Sequence, residues 1–297
     1  MTPYERVKEE ITEKILTYGK EKNMSKMRFY YRGHANNTWK IEPSICRNAV
    51  EKQKEREMLE EQIKAGNWSV DRSLFDNIAR LQHYGKHYDI HTRFLDFTTD
   101  IDVAIYFACD DDKWFDVDGE IIMCPYDFRN EEHNDTMFIT ELALLKEPVS
   151  VYDFVDNLIN KYPKVISESG YGQSPLMSIG LSVLSWIDHG FMVTPSKDNY
   201  ESIKEWNPRL YNQKGAFFIP GNKTRPAFPK AYSWNISSTI ILPEIGDIPD
   251  TISNSHKILK VTVPSADKRA ILEELDKKEE SINNQYKNFI YPNESKI

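Results

Sequence analysis

Apolar side chains recur every four residues near the start of the chain, where Val7, Ile11 and Ile15 stand among glutamates and lysines. This spacing predicts an amphipathic helix over residues 4–21, because residues four apart share one face of a helix. Glycine commonly follows the last turn of a helix, so we expect Gly19 to end this one. The helix is interpreted as a packing element.

In residues 27–32, MRFYYR, successive side chains fall into two alternating sets, and this period of two is typical of a strand. We expect this strand to end at Gly33 and to carry Arg32 to its end. A second helix is predicted over residues 49–65, and a third around Leu74, Ile78 and Leu81 that ends at Gly85. Another is predicted over residues 103–108, where Thr99 and Asp102 form a capping pair at its start. The last contains Ile271, Leu272 and Leu275 and is capped by Ser265. Further strands are predicted at residues 120–124, 216–219, 238–242 and 258–263.

The run of short strands late in the chain favours antiparallel pairing over a parallel βαβ architecture. We therefore expect one α+β domain, built on an antiparallel, split sheet with flanking helices. Residues 126–199 mix short apolar runs with prolines and glycines, so the pattern places their helices only loosely.

Composition agrees with a folded domain, since 40% of the 297 residues are hydrophobic and 12% are aromatic. The net charge of −8 gives no global attraction to nucleic acid or to anionic lipid. Charged residues occur among the first ten positions, where a signal peptide would have its apolar run. No segment approaches the roughly 18 apolar residues that span a bilayer. We expect a cytoplasmic protein without a membrane segment, whose cysteines, Cys46, Cys109 and Cys124, are reduced and buried.

The segment HYGKHYDIHTRFLDFTTD, residues 83–100, holds three of the seven histidines. His87 and His91 have the spacing of a helical metal-binding pair, but the glutamate that usually accompanies such a pair is missing, so no metal is expected. The chain also lacks the GxSxG and GxxxxGK patterns of serine hydrolases and phosphate-binding loops.

Arginine at a strand end, followed by glycine, suits a phosphate or carboxylate ligand, and the alternative for Arg32 is a structural salt bridge. Arg93 and Asp96 are three residues apart, and their alternative is to pair with each other or to cap the backbone. Thr98 and Thr99 are also ordinary residues for the start of a helix.

Several blocks of the chain together resemble the FRG domain, a family named for its Phe-Arg-Gly motif, which here is Tyr31-Arg32-Gly33. The blocks are FYYRGHANNTWKIEPSICRN (29–48), RLQHYGKHYDIHTRFLDFTTDIDVAIYFAC (80–109), NPRLYNQKGAFFIP (207–220) and the closing segment 258–293. The resemblance implies an FRG domain over residues 26–293, preceded by a helical extension over residues 1–25. It makes residues 83–100 a pocket wall, and it implies a role in conflict between bacteria and phage.

A second resemblance is to the ADP-ribosyltransferases of the arginine, serine, glutamate class, through YRG, DFTTDIDVAIYFA and NQKGAFFIPG in the same order. It implies an ADP-ribosyltransferase-like fold that binds NAD. Arg32, beside Gly33 and His34, would then hold the dinucleotide phosphate, and Thr98 and Thr99 would orient the nicotinamide ribose. Gln213 would take the position of the first glutamate.

Gly215 stands where that class has its catalytic glutamate, and glycine supplies no carboxylate. Another carboxylate would have to replace it, and Asp96 is preferred over Asp100, because Arg93 could hold Asp96 ionised. The expected function is then ADP-ribosyl transfer or NAD processing without a metal, with a macromolecular target as one option. The alternatives are a non-catalytic module that senses a ligand or a protein, and a scaffold in which Arg32, Arg93 and Asp96 form core salt bridges.

Overall fold

The computed structural model describes residues 1–22, 28–47, 55–88, 92–126, 135–163, 175–195, 197–227, 238–246 and 257–292. Helices and antiparallel sheets alternate along this part of the chain. The helices are α1 Pro3–Lys22, α2 Glu55–Lys64, α3 Leu74–Tyr88, α4 Ile101–Cys109, α5 Asp135–Ala143, α6 Val151–Lys161, α7 Pro175–His189, α8 Lys197–Trp206, α9 Pro208–Asn212, α10 Lys268–Leu275 and α11 Tyr286–Ile290. The strands are β1 Arg28–His34, β2 Leu95–Thr98, β3 Gly119–Tyr126, β4 Val149–Ser150, β5 Phe191–Val193, β6 Gly215–Ile219, β7 Asn222–Pro226, β8 Thr239–Ile245 and β9 Leu259–Val263.

A six-stranded sheet in the order β5-β6-β2-β1-β3-β9 forms the centre, and β4-β8-β7 form a smaller sheet. All of the strand pairs in both sheets are antiparallel, so the predicted α+β class with antiparallel pairing is confirmed.

The pairing between β1 and β2 is much shorter than that between the other central strands. Their register contains one pair of residues, Tyr31 with Thr98. By contrast, β1 pairs with β3 along its whole length, from Arg28 to His34, and every residue of β2 pairs with β6. The central sheet therefore consists of two well-paired halves joined at a short seam.

Each half of the central sheet is covered by its own helices. Tyr31, Ile121 and Val261 pack with α1, α4 and α10 beneath β1, β3 and β9. Phe217 and Ile219 pack with α3, α5, α6 and α7 beneath the other half. On the opposite face, Tyr30, Leu95, Phe97 and Ile122 form a smaller cluster with Ile41, as the alternation of side chains along a strand requires.

Gly33 is where α4 comes closest to the sheet. A Cβ atom at this position would lie 2.0 Å from the carbonyl oxygen of Ala104 and 2.5 Å from the amide nitrogen of Ala108. On this side of the strand the helix occupies the space that glycine leaves open, and the predicted role of Gly33 in ligand binding stays a prediction.

Several predicted boundaries also need correction. Gly19 and Gly85 lie inside α1 and α3, which run on to Lys22 and Tyr88. Packing of the helix outweighs the cost of about 1 kcal/mol for an interior glycine. Asp100, rather than Thr99, caps α4 and accepts a hydrogen bond from the amide of Asp102. Ser265 begins a 3-10 turn without a side-chain cap, and residues 49–54 of the predicted second helix lie outside the described residues.

Helix α1 is part of the main core. Tyr4, Val7 and Ile11 are buried, and the hydroxyl of Tyr4 donates a hydrogen bond of 2.6 Å to Asp102 in α4. Among the described helices, none is long and apolar enough to cross a membrane.

Candidate functional site

Arg32 lies at the seam between the two halves of the central sheet. Its Nη1 donates a hydrogen bond of 2.6 Å to the backbone carbonyl of Asp96 in β2, and its Nε donates one of 2.9 Å to Nε2 of His34. The guanidinium thus bridges the strands beyond their single register pair. Both acceptors are uncharged, and among the described residues Nη2 has no hydrogen-bond partner. The half-buried side chain therefore makes no ion pair in the described part of the chain, although the charge of Asp96 acts on it.

His34 is buried, with 2% of its surface exposed. Burial lowers the pKa of its imidazole to about 3, and the neighbouring charges of Arg32, Lys260 and Arg47 lower it further in the same direction. A neutral ring that accepts a hydrogen bond from Arg32 at Nε2 must carry its own proton at Nδ1. Within the described part of the chain, Nδ1 is buried without a hydrogen-bond partner.

Asp96 also lies at the seam, where its backbone carbonyl accepts the hydrogen bond from Arg32. Its side chain leaves β2 on the face of Thr98, opposite the side chain of Arg32, and its carboxylate accepts a hydrogen bond from the side-chain amide of Gln82 in α3. The pKa of Asp96 is raised because surrounding protein displaces water, while the nearby Arg32, Gln82 and Arg47 oppose this effect. The side chain is exposed to solvent, so the carboxylate is accessible at the seam.

Arg47 adds a second positive charge near the seam. It is exposed, and its charge acts on Arg32, His34 and Asp96. Two guanidinium groups and one carboxylate therefore lie close enough at the seam for their charges to interact, in a protein whose net charge is −8. An excess of guanidinium groups favours an anionic ligand, and phosphate and carboxylate match the geometry of these groups.

Arg93 does not belong to the residues around Arg32. Its Nε and Nη2 donate to the two carboxylate oxygens of Glu55 at 2.6 Å and 2.7 Å, and its Nη1 donates to the Oδ1 of Asn222 at 2.9 Å. Arg93 is 1% exposed. The expectations that Arg93 holds Asp96 ionised, or pairs with it, are therefore wrong. The buried pair joins α2 and β7 to the segment that precedes β2.

Thr98 and Gln213 are brought together, but on a different side of the sheet from Arg32. Thr98 is paired with Tyr31, and consecutive residues of a strand point to opposite faces, so the side chains of Arg32 and Thr98 leave the sheet from opposite faces. The hydroxyl of Thr98 donates a hydrogen bond of 2.6 Å to the carbonyl of Gln213 and accepts one from the amide of Asp100. Its bonding capacity is thus used within the protein.

The remaining predicted residues extend this second group. Thr99 donates from its hydroxyl to the carbonyl of Lys214 at 3.4 Å, and the side-chain amide of Gln213 donates to the carbonyl of Ile290 at 3.4 Å. Gly215 pairs with Thr98, and a Cβ atom there would lie 2.2 Å from Cδ1 of Leu210. No side chain of this group reaches Arg32 through a hydrogen bond in the described residues.

A search of the described residues finds no cluster of three His, Cys, Asp or Glu side chains that could hold a metal. The side chains of His87 and His91 lie outside the described residues, so their metal-binding pattern stays a matter of sequence prediction.

Sequence reasoning missed Gln82, Arg47 and the role of the Asp96 carbonyl. Gln82 and Arg47 lie within the quoted blocks, but nothing in their local pattern relates them to Arg32. Their association comes from the packing of α3 and the 3-10 turn Ser44–Arg47 against the seam. The alternation of Leu95 and Phe97 with Asp96 and Thr98 was the one available signal that these two polar side chains share a face.

Residues 27–116 match the family model of the FRG domain. The matched part supports the resemblance to that family for the segment that contributes the residues at the seam. These residues are Arg32, His34, Arg47, Gln82 and Asp96. Gln213 and the closing segment lie beyond the matched part, and the predicted domain limits of 26 and 293 stay a prediction. No curated protein and no solved structure matches the chain.

The lowered pKa of His34 predicts a specific pH dependence of stability. The unfolded chain binds a proton at His34 below its ordinary pKa near 6.5, whereas the folded protein does so only near pH 3. Between these values the unfolded state holds more protons, so the free energy of unfolding falls as the pH falls, by up to about 1.4 kcal/mol per pH unit.

We expect the His34→Gln variant, whose side chain does not titrate, to lose stability less steeply than the wild type between pH 7 and pH 4.5. Urea denaturation at several pH values measures both slopes, and the carboxylates common to both proteins cancel in the difference. Parallel slopes would show that His34 titrates normally and is not held neutral.

Proposed function

We propose that the seam of the central sheet binds a phosphate-bearing nucleotide, with NAD as the leading ligand, in the cytoplasm. The observation that carries the proposal is the state of Arg32, whose guanidinium is oriented by two neutral acceptors and makes no hydrogen bond to a carboxylate in the part of the chain that the structure describes. In a structural salt bridge, the positive charge of Arg32 would be neutralised by a carboxylate of the protein. The oriented guanidinium of Arg32 instead remains available to a ligand, and Arg47 adds a second positive charge.

Asp96 is the residue that makes chemistry at this site reasonable. Transfer of ADP-ribose breaks the bond between the ribose C1′ and the nicotinamide nitrogen, and a new bond forms between C1′ and a nucleophile that gives up a proton. A carboxylate close to C1′ stabilises the positive charge that develops on the ribose. The backbone carbonyl of Asp96 accepts a hydrogen bond from Arg32 and its carboxylate is exposed at the seam, so we propose ADP-ribosyl transfer to a macromolecule or to water, with Asp96 in that role.

A second candidate function is a non-catalytic module that senses a nucleotide or a protein. The observation that favours it is the second group of residues, because Gly215 brings no carboxylate and the Gln213 amide is turned to the carbonyl of Ile290. In this case the ligand binds to Arg32 without reacting. A role in conflict with phage, and a bacterial origin, are supported by the family resemblance alone.

The Arg32→Ala variant tests the ligand site. We expect the dissociation constant for NAD or ADP-ribose, measured by isothermal titration calorimetry, to rise about 10- to 100-fold, since a hydrogen bond to a charged group contributes roughly 1.5–3 kcal/mol. The Arg32→Lys variant should recover only part of the affinity, because an ammonium group lacks the planar fork of a guanidinium. Arg225→Ala, at an exposed arginine in the smaller sheet, is the matched control and should bind as the wild type does.

The Asp96→Asn variant separates the enzyme from the sensor. Release of nicotinamide from NAD is measured together with binding. Loss of turnover with binding retained supports catalysis at Asp96, whereas retention of both removes Asp96 from the reaction. If wild-type protein neither binds nor turns over NAD at millimolar concentration, the proposed function is overturned. Loss of several kcal/mol of stability in Arg32→Ala would instead assign Arg32 to the scaffold.

A further inference from the structure

Three aromatic rings in successive contact, those of His34, Trp39 and Trp114, begin beside Arg32. The imidazole of His34 lies 5.8 Å from the Trp39 ring, centroid to centroid, and Trp39 lies 5.9 Å from Trp114. Both contacts are edge-on, with interplanar angles of 62° and 87°. Trp39 is 40% exposed. An open indole therefore stands one imidazole ring away from the guanidinium.

A buried ammonium group holds the two loops that carry these indoles. The Nζ of Lys268 donates hydrogen bonds to the carbonyl of Ala35 at 2.6 Å and to the carbonyl of Trp114 at 2.7 Å. Lys268 is fully buried, and burial lowers its pKa. Burying a charge is costly unless it is well bonded, so this contact fixes the loops firmly against each other.

The loop before Trp39 has its own hydrogen bonds. The amide of Asn37 donates to the carbonyl of Asp118 at 2.9 Å, and both the amide and the hydroxyl of Thr38 donate to Oδ1 of Asn36. Trp39 is thus an exposed aromatic side chain on a rigid loop. Isolated exposed tryptophans are common on protein surfaces, but this one combines a fixed position with the nearby guanidinium of Arg32, which makes no hydrogen bond to a carboxylate among the described residues.

We infer that Trp39 stacks on the planar base of a nucleotide whose phosphate is bound by Arg32 and Arg47. This inference rests on the proposed function and adds the base to it. In a nucleotide, a ribose joins the phosphate to the base. The imidazole of His34, which separates Arg32 from Trp39, is similar in size to a ribose, so the phosphate and the base can reach the two side chains together. Stacking on an aromatic side chain accepts any base, so Trp39 contributes affinity for nucleotides as a class.

The experiment compares ligands that share a phosphate and differ in the base. AMP and ADP-ribose carry adenine, and ribose 5-phosphate carries none. Their dissociation constants are measured by titration calorimetry for the wild type, Trp39→Ala, Trp39→Phe and Arg32→Ala. Tyr152→Ala is the matched control, since Tyr152 is an exposed aromatic residue in α6 with 46% exposure.

We expect Trp39→Ala to weaken AMP and ADP-ribose about 5- to 100-fold and to leave ribose 5-phosphate unchanged. Trp39→Phe should retain part of the affinity, Tyr152→Ala should retain all of it, and Arg32→Ala should weaken every ligand. This pattern supports the inference.

Other results overturn it. If the wild type binds AMP and ribose 5-phosphate equally, or if Trp39→Ala weakens both alike, the base does not stack on Trp39, although the phosphate site at Arg32 stands. If a single-stranded oligonucleotide binds more tightly than AMP, the aromatic surface serves nucleic acid rather than a mononucleotide. If none of these ligands binds, both the inference and the proposed function fail.

Discussion

Replacing Gly33 with alanine is expected to lower the free energy of unfolding by roughly 3–5 kcal/mol, which is in the upper range for a single substitution. The added methyl group would lie 2.0 Å from the Ala104 carbonyl oxygen and 2.5 Å from the Ala108 nitrogen. Both are backbone atoms of α4, so no side chain can rotate away. Either the helix or β1 must move, and the contacts of α4 with β1 and β3 are weakened.

Urea denaturation of Gly33→Ala beside Gly66→Ala measures this effect. Gly66 has a φ of 75°, with nothing within 4 Å of an added Cβ, so its substitution brings backbone strain without a clash. We expect Gly66→Ala to lose about 1 kcal/mol. If the two variants lose equal stability, close packing of α4 is not the reason for glycine at position 33.

Replacing Arg93 with alanine is expected to lower the free energy of unfolding by about 3–5 kcal/mol, because Glu55 would remain buried as an unpaired charge. Glu55 is 7% exposed and binds Arg93 through both carboxylate oxygens. Asn222 and the Pro220 carbonyl would also lose their donor. The substitution therefore removes one partner from a network that joins α2 and β7 to the segment that precedes β2.

The control is Lys14→Ala, which removes the exposed pair with Glu10 in α1 and an exposed hydrogen bond to the carbonyl of Lys260, and which should cost no more than about 1 kcal/mol. A double variant, Glu55→Leu with Arg93→Met, removes both charges and should be more stable than Arg93→Ala alone. A loss below 1 kcal/mol for Arg93→Ala would show that the buried pair is not important for stability, and it would return Arg93 to consideration as a site residue.

The sequence predicted the elements of the central sheet better than it predicted the site. The alternation around Tyr30 and Tyr31 depends on local geometry, so it identified β1 and placed Arg32 in it correctly. Helix ends were less predictable, because interior packing decided whether Gly19 and Gly85 were tolerated.

The partners of charged side chains depend on contacts between distant segments. Arg93 and Asp96 are close in sequence, yet Arg93 pairs with Glu55 and Asp96 binds Gln82. The order of Arg32, Thr98 and Gln213 also suggested one group. Strand register separates Arg32 from the other two, and no pattern within a single strand reveals the register between strands.

The short seam also determines how the central sheet responds to force. The two halves of the central sheet share one residue pair, Tyr31 with Thr98. One half can therefore rotate against the other while the hydrogen bonds between the strands within each half stay intact. The bond from Arg32 to the Asp96 carbonyl crosses this hinge. Any change in the angle between the two halves must therefore stretch or shorten that bond first. The orientation of the Arg32 guanidinium reports the angle of the whole sheet.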